Sequence, residues 1–341
     1  MNDDHTSFLG WHRGKLLLLG LIILVLALGV VAAKVFQGGT AQSVSTSVAV
    51  PNGKQGHTKQ SQVKERRPAR SGQPPRRQSG SGRPVLPPDA EDSFARLESE
   101  HPGDELGLSV AAFGSGRPRQ IGALGVGHAW STLKVPIVAT VMREKGSLEP
   151  AQDADASAAI TASDNEAAAR LFAGLGDIDD ASAAVERTLA ASGYPTHVAR
   201  EPPPSGAVST WGQTDWTLSA STGFYRALIC GKLDLEPAQT ARMIGLMEEV
   251  IPEQQWGLGT SGAAVPGAAI KGGWGPTDSE SGPYLVRQAA ILRAPKKDSG
   301  AVVTIAAVDA SGSFEAGTED LDAVAKWVRE NVSVTAGTCG K

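Results

Sequence analysis

Ser131 and Lys134 stand three residues apart in the sequence, and this spacing places both side chains on one face of a helix. A serine hydroxyl is a weak nucleophile until a neighbouring base takes its proton, and a lysine amine one helical turn away is within reach of that proton. The pair therefore predicts a catalytic serine that Lys134 activates.

The surroundings of this pair separate it from a second copy of the same spacing at Ser61 and Lys64, which lies in a long polar tract. Ser131 opens an apolar run that continues to Met142, and this pattern predicts a buried helix with the serine at its N-terminus. Free N–H groups and the positive end of the helix dipole favour developing negative charge there. Pro136 fits, because proline is tolerated in a first helical turn.

Two further sets of polar residues follow in the sequence. Ser163, Asp164 and Asn165 stand at the break between two alanine-rich helical segments. They are candidates for catalysis, although serine, aspartate and asparagine are also common helix N-caps. Lys271 begins a Lys-Gly-Gly triplet on a predicted strand, where a simple turn is the alternative. The order of the three sets favours one joint site.

The remaining pattern predicts an α/β protein of the α+β type. Strands and helices occur at both ends of the predicted catalytic domain, residues 91–332, and helices fill its middle. We therefore expect an antiparallel sheet flanked by terminal helices, with an all-helical lobe beside it and the active site in the cleft between them. Strand patterns cover 106–113, 119–124, 268–274, 284–292 and 302–308; helix patterns cover 92–99, 131–142, 154–162, 166–174, 181–192, 217–229, 236–248 and 319–330.

On these three ordered motifs the chain resembles the class A serine β-lactamase and penicillin-binding-protein superfamily, over nearly all of the domain. The resemblance implies that Ser131 attacks a β-lactam or peptide carbonyl while Lys134 takes or relays its proton. It further implies that Ser163 passes a proton to the leaving nitrogen and that Asn165 holds the substrate amide. Lys271 would supply positive charge beside Ser163 and the substrate carboxylate.

The same resemblance assigns the third motif and its surroundings to substrate binding. Gly273 belongs to this motif, and the backbone N–H groups of Ser131 and Trp274 would form the oxyanion hole. Arg287 lies on the next predicted strand, where it would clamp a substrate carboxylate; an ordinary surface arginine is the alternative.

The chain departs from the family pattern at three places. Gly272 stands where the family has a serine or threonine hydroxyl, which removes a donor to the substrate carboxylate. Ser163 follows Ser131 by 32 residues, a short interval, so we expect a shortened helical lobe. Glu201 lies where the family has its deacylating glutamate, with Asp215 as the acid that would anchor its loop; an exposed loop glutamate is the alternative.

The N-terminal segments predict a membrane-anchored protein. Residues 16–33 are uncharged and mainly apolar, which is just long enough to cross a bilayer as a helix. Arg13 and Lys15 before this segment, against Lys34 after it, favour a cytoplasmic location for residues 1–15. The protein would then be a single-pass protein of the cell membrane with an extracellular catalytic domain. A cleaved signal peptide is the alternative.

Residues 34–90 have the composition of a disordered tether, rich in Gly, Ser, Pro, Gln and Arg. Between Lys54 and Arg83 it carries nine basic residues and one acidic residue, whereas residues 84–341 carry 20 basic and 33 acidic residues. The basic tether is predicted to be a solvated linker, or else to contact anionic lipid or wall polymer. We expect no nucleic-acid partner. Binding nucleic acid would require the opposite membrane topology, and the basic stretch between Lys54 and Arg83 has no Phe, Tyr or Trp that would stack on bases.

The cysteines and histidines indicate neither a disulfide nor a metal site. Cys230 and Cys339 could pair in an exported protein, but Cys339 stands in a predicted loose tail, 333–341, so we expect no essential disulfide. The six histidines show no metal-ligand spacing, and no metal or other cofactor is expected.

These observations together predict a membrane-anchored serine acyl hydrolase that acts on β-lactams or D-alanyl peptides of the cell wall. Two other functions stay open. Gly272 and the shortened lobe favour a catalytically weak or inactive protein that binds wall peptides or antibiotics. An esterase with an unrelated substrate would use the same nucleophile.

Overall fold

The computed structural model describes residues 85–340 with the exception of 115, 202–208, 261–267, 278–281 and 296–297. The predicted cytoplasmic segment, the membrane anchor and all but the last residues of the linker therefore lie outside the described residues. Among the helices of the described part, none has the length and hydropathy that crossing a membrane requires.

An antiparallel sheet of five strands forms the centre of the domain. The strands are β1 Glu105–Ala112, β2 Arg119–Ile121, β5 Ala269–Pro276, β6 Tyr284–Arg293 and β7 Gly300–Asp309, in the spatial order β2-β1-β7-β6-β5. Successive residues of a strand point to opposite faces. Ala290 and Leu292 of β6 accordingly enter the core on one face, and Ala289 and Ile291 enter the core on the other.

Helices cover both faces of this sheet. They are α1 Ala90–Glu100, α2 Lys134–Lys145, α3 Pro150–Thr161, α4 Asn165–Ala173, α5 Ile178–Ala191, α6 Leu218–Ile229, α7 Pro237–Glu248 and α8 Phe314–Asn331. The terminal helices α1 and α8 share one core with the sheet, where the rings of Phe94 and Trp327 pack edge-on with centroids 5.2 Å apart. This confirms the predicted terminal helices on an antiparallel sheet.

The opposite face of the sheet carries α6 and the helical lobe, which consists of α2 to α5 and α7. Small side chains such as Ala156, Ala159 and Ala168 are buried at the contacts between these helices, and they allow close packing. The first nine residues of α2, from Lys134 to Met142, are buried, and proline occupies its third position, within the first turn. The predicted buried helix is confirmed.

The sequence pattern does not reveal a short ribbon whose two strands lie before α2 and after α5 in the chain. Its strands are β3 Val126–His128 and β4 Asp215–Thr217, which pair antiparallel. The Ala129 N–H extends the pairing with a hydrogen bond of 2.8 Å to the Thr214 carbonyl. Strands of three residues are too short to show an alternating pattern, yet this ribbon fixes the chain directly before Ser131.

Cys230 and Cys339 form a disulfide bond, which the sequence left possible although we expected no essential disulfide. The C-terminal segment also differs from the predicted loose tail, because Thr338 forms a β-bridge with Ser299. This bridge places the tail beside the end of α6, where Cys230 lies. The place of Cys339 close to the end of the sequence gave no sign of this pairing. The bridge between Thr338 and Ser299 brings the two sulfur atoms together.

Removal of this disulfide is expected to lower the free energy of unfolding by about 2–5 kcal/mol. The reason is that the bond joins residues 109 positions apart and restricts the unfolded chain. Chemical denaturation of a Cys230→Ser/Cys339→Ser variant measures the effect, and wild-type protein under reducing conditions serves as a matched control. An unchanged denaturation midpoint in both samples would contradict the prediction.

Candidate active site

Ser131 lies in a 3₁₀ turn, Trp130–Leu133, that leads directly into α2. The carbonyl of Thr132 accepts a hydrogen bond of 2.9 Å from the buried hydroxyl of Tyr225, so α6 supports the turn from the core. The Thr132 hydroxyl donates to the Ala129 carbonyl and closes the turn. Ser131 is partly exposed, and its hydroxyl forms no hydrogen bond with a described residue, which leaves it open to a substrate.

The backbone at two positions of the site adopts the left-handed region, which residues other than glycine rarely occupy. Trp130, directly before the serine, has a φ of 45°, and Ser163 has a φ of 58°. Such conformations cost on the order of 1–3 kcal/mol each and are typical of functional sites, where the surrounding structure holds them. Sequence reasoning missed both, because no residue pattern marks a strained tryptophan or serine.

The amine of Lys134 lies among three oxygen atoms of the second motif. It donates to the Ser163 carbonyl, to the Ser163 hydroxyl at 3.2 Å and to the side-chain oxygen of Asn165 at 2.7 Å. No hydrogen bond joins it to the Ser131 hydroxyl, so the contact expected inside the first motif is not formed in this structure. Lys134 instead connects the first motif to the second.

Lys271 approaches the same serine from β5. Its amine donates to the Ser163 hydroxyl at 2.9 Å and to the Gly272 carbonyl at 2.9 Å. Both Lys134 and Lys271 are fully buried. The structure thus brings the three predicted motifs together, and the hydroxyl of Ser163 lies between two amines, where it is able to relay a proton.

The Ser-Asp-Asn triplet serves two purposes. The carboxylate of Asp164 accepts a hydrogen bond of 2.8 Å from the Ala167 N–H and caps α4, as its residue type predicts. Ser163 and Asn165 on either side contact the Lys134 amine. The cap and the site are therefore not alternatives, because the turn that caps α4 also positions the two side chains that bind Lys134.

Burial determines the charge of the two amines. It lowers the pKa of Lys134 from 10.5 to about 7, although the nearby Asp164 carboxylate raises it. Burial, together with the charge of Lys134, holds the pKa of Lys271 well below its usual range. An amine that is neutral near pH 7 has a lone pair for a proton, which is the property a general base requires.

The rate of acylation at Ser131 is expected to rise with pH through a midpoint near 7 and to level off above it. Only neutral Lys134 accepts a proton, and its pKa is about 7. Two pH units below the midpoint, about one amine in a hundred is neutral, so the rate at pH 5 should be about a hundredfold below the plateau. Stopped-flow acylation between pH 5 and 9 measures the profile, and a midpoint near 10 would contradict it.

Gly273 allows β5 to approach the Ser131 turn closely. A Cβ atom at this position would lie 2.8 Å from the Ser131 nitrogen and 2.9 Å from the Thr132 nitrogen, which is closer than Cβ atoms come in proteins. The edge of β5 therefore lies against the first N–H groups of the turn. The backbone N–H groups of Ser131 and Trp274, which are predicted to stabilise an oxyanion, belong to these adjoining segments.

A tryptophan explains why Gly272 lacks a hydroxyl side chain. A Cβ atom at Gly272 would lie 2.6 Å from the ring of Trp256. Trp256 fills the space that a serine or threonine would need, and its ring packs edge-on against Trp274 with centroids 6.0 Å apart. The motif pattern does not point to Trp256, which lies well before the third motif in the sequence.

Arg287 lies inside the protein, and its predicted role as a substrate clamp stays a prediction. Its side chain is fully buried, and one guanidinium nitrogen donates to the carbonyls of Gly127, His128 and Trp216 at 2.9–3.1 Å. Burial lowers its pKa to about 10, which leaves it charged at neutral pH. Arg287 points to the face of the sheet under the β3–β4 ribbon, and it ties that ribbon to β6.

Glu201 is exposed and borders residues 202–208, which lie outside the described residues. No hydrogen bond or ion pair between Glu201 and the described residues of the site occurs, so its role as a deacylating base stays a prediction. A carboxylate oxygen of Asp215 lies 3.1 Å from Nδ1 of His128. In the described part of the chain, Asp215 thus anchors the ribbon rather than the loop of Glu201.

Metal-ligating atoms cluster elsewhere in the domain. Among the described residues, ligand atoms of His101, Asp104 and Asp320 lie within 4.8 Å of one another. This group belongs to the ends of α1 and β1 and to α8, and it contains none of the residues that bind Lys134 or Lys271. The chemistry of the Ser131 site is that of a hydroxyl nucleophile with two amines.

Solved structures share this arrangement of sheet and helical lobe. A class A β-lactamase from Mycobacterium abscessus superposes with a TM-score of 0.55 at 17% identity, and a β-lactamase from Xanthomonas campestris pv. campestris with 0.53 at 22%. A β-lactamase from Streptosporangium roseum matches with a TM-score of 0.54 at 15% identity. These matches cover 71% of this chain and 97–98% of those proteins.

The chain has the class A β-lactamase fold. No protein-family model matches the sequence, and no curated protein matches it. At these identities, the likeness establishes the class A β-lactamase fold and leaves the activity to be argued from the side chains. In this fold the three motifs meet where the helical lobe adjoins the edge strand β5, which confirms the resemblance expected from the sequence.

Proposed function

We propose that the protein is a serine acyl hydrolase that forms an acyl-enzyme on Ser131. The observation that carries this proposal is the convergence of two buried amines, Lys134 and Lys271, on the hydroxyl of Ser163 beside the Ser131 turn. Burying two amines is costly, and in a purely structural role apolar side chains would fill the same space more favourably. In a site that transfers protons, both amines would have a function, because each contacts the Ser163 hydroxyl that would relay the proton.

The proposed acylation step follows from these contacts. The Ser131 oxygen bonds to the carbonyl carbon of the substrate while its proton passes to neutral Lys134. Backbone N–H groups at Ser131 and Trp274 stabilise the oxyanion, a contribution that is typically worth about a hundred- to a thousandfold in rate. The proton then moves through Ser163 to the leaving nitrogen or oxygen as that bond breaks. An ester remains on Ser131, and Lys134 is again neutral.

Hydrolysis of the ester completes the proposed reaction. A water molecule adds its hydroxide to the acyl carbon, and its proton returns to the Ser131 oxygen as the ester bond breaks. Glu201 is the proposed base for this step. The expected substrates are β-lactams or D-alanyl peptides of the cell wall, which the order of the motifs and the fold support.

The proposed location is the outer side of the cell membrane. Residues 16–33 would anchor the chain, and the basic linker 34–90 would hold the domain near the surface, where anionic lipid or wall polymer is available to it. Fractionation of cells that express the full chain tests this proposal against a variant that lacks residues 1–33. Recovery of both proteins in the soluble fraction would contradict it.

Intact-mass spectrometry over time after addition of a penicillin tests the reaction. A transient adduct supports acylation followed by hydrolysis, whereas a lasting adduct supports acylation and rejects turnover. A folded protein without any adduct would count against the proposal. Glu201→Ala should lengthen the life of the adduct, and Glu330→Ala, an exposed glutamate at the end of α8, is the matched control.

A binding protein without catalysis is the second candidate function. It is favoured by the contacts of Lys134, whose amine bonds to Ser163 and Asn165 and not to Ser131. Such a protein would bind wall peptides or antibiotics reversibly, and Ser131→Ala would leave the affinity unchanged. Steady turnover of a chromogenic cephalosporin that Ser131→Ala abolishes would exclude this candidate.

A further inference from the structure

The basic side chains of the site motifs, and of the strand beside them, are already bound inside the protein. Lys134 and Lys271 are fully buried, and both amines are directed at the Ser163 hydroxyl. Arg287 is fully buried on three backbone carbonyls. Nε and Nη2 of Arg287 have no hydrogen-bond partner among the described residues, but they are closed off from the surface. A carboxylate on a substrate of Ser131 would therefore meet none of these three cations at the surface.

Neighbouring basic groups are paired as well. Arg170 of α4 binds Asp155 through Nε at 3.1 Å and Nη2 at 2.6 Å, and the ring of His128 lies 3.1 Å from the Asp215 carboxylate. Outside the described residues, the segments 202–208, 261–267 and 278–281 contain no lysine or arginine, whereas the two residues 296–297, between β6 and β7, are both lysines.

The surrounding charge is negative. Asp164 and Glu166 are exposed in the first turn of α4, next to the residues that bind Lys134. The domain as a whole, residues 84–341, carries 33 acidic and 20 basic residues. An excess of negative charge lowers the local concentration of anionic substrates relative to that of neutral or cationic substrates.

An aromatic cluster follows the free edge of the sheet at β5. Trp274 is half-buried, and its ring centre lies 6.0 Å from that of Trp256 and 5.3 Å from that of Phe314. Tyr284 extends the cluster at 6.4 Å from Phe314. Trp256 also occupies the space beside Gly272, where a polar side chain would otherwise stand. The surface next to the third motif is therefore apolar.

On the basis of the proposed acyl transfer at Ser131, we infer that the acyl donor carries no carboxylate on the part that lies along β5, and that an apolar group of this donor packs on Trp274. A carboxylate placed there would lose its hydration, and no cation would be available to form an ion pair with it. An apolar group would gain the contact area of a large ring. Within the proposed substrate classes, the site is thus suited to donors whose carboxylate is masked as an ester or an amide.

A matched pair of acyl donors tests this inference: a penicillin as its free acid and as its methyl ester. The second-order rate of acylation is measured by intact mass, and each value is divided by the rate of spontaneous hydrolysis of the same compound. We expect the ester to acylate Ser131 at least about tenfold faster than the acid, because the acid leaves a buried charge unpaired. An equal or faster rate for the acid would overturn the inference while leaving the proposed acyl transfer intact.

Binding measurements separate the inference from the proposed reaction. If neither compound acylates the protein, the reaction fails, and the affinity of the Ser131→Ala variant for each compound still decides the inference. Tryptophan fluorescence reports this affinity, since Trp274 is part of the proposed contact. Tighter binding of the ester supports the inference, and equal or tighter binding of the acid overturns it.

A new cation at the apolar surface should reverse the preference. Trp274→Lys is expected to favour the free acid by about tenfold, because the added amine pairs with the carboxylate. Ile178→Lys adds the same charge to an exposed residue at the start of α5 and should keep the preference for the ester. If Trp274→Lys does not fold, Trp274→Ala should lower the ester rate alone. An unchanged preference in a folded Trp274 variant would overturn the role of this residue.

Discussion

Replacement of Ser131 by alanine is expected to lower the rate of acyl-adduct formation by at least about 10⁴-fold, because no other group takes the place of a lost nucleophile. Ser131 is partly exposed in the turn that lies against β5, directly after the strained backbone of Trp130. Intact mass after incubation with a penicillin, followed by peptide mapping of the wild-type adduct, measures the loss. The folded state of the variant is checked by circular dichroism.

The chain supplies a matched control for this experiment. Ser61 has the same spacing to Lys64 that Ser131 has to Lys134, but it stands in the polar segment that is predicted to be a tether. Ser61→Ala should therefore leave the adduct unchanged in rate and position. An adduct that forms at the wild-type rate in Ser131→Ala would place the nucleophile elsewhere and would refute the proposed mechanism.

Replacement of Lys134 by methionine is expected to lower the acylation rate by about 10²- to 10⁴-fold, the range typical of a lost general base. Methionine matches the length and burial of the lysine stem, so the core of α2 is kept while the proton acceptor is removed. A merely structural role would not alter the shape of the pH profile. Loss of the base should abolish the rise near pH 7 in the residual rate, and this is the measurement that identifies the role.

Lys64→Met is the corresponding control in the tether, and it should leave both the rate and the pH profile unchanged. Ser163→Ala separates the two lysines further, because it removes the hydroxyl that both amines contact. A residual pH dependence with a midpoint near 7 in Lys134→Met would assign the titration to another group.

The fold follows from the sequence wherever the pattern is long enough to repeat. Strands of eight to ten residues such as β1, β6 and β7 are long enough to show a strand pattern, and α8 has an apolar face over 18 residues. The β3–β4 ribbon has strands of three residues and no such signal. The disulfide depends on a bridge between Thr338 and Ser299, a pairing between distant segments that local patterns do not contain.

The site was predictable in its residue types and not in its contacts. The spacing of Ser131 and Lys134 gives a shared helix face, but only the packed structure shows that Ser163 and Asn165 offer the lysine amine closer partners. Strand alternation allows the Arg287 side chain to point to either face of the sheet. Other elements cover both faces, so the side chain is buried in either case. The sequence shows that Gly272 lacks a hydroxyl side chain, but the close approach of Trp256 to Gly272 and of the Ser131 turn to Gly273 required the structure.

The strand order determines when, during synthesis of the chain, the site is able to form. β7 is the last strand to be synthesised, yet it lies in the middle of the sheet between β1 and β6. Until residue 309 has been made, β1–β2 and β5–β6 are two separate hairpins with no strand to join them. Ser131 and Lys271 therefore cannot be held against each other in an incomplete chain. The nucleophile is assembled only after synthesis of the domain is nearly finished, so a chain that is still being made carries no active serine.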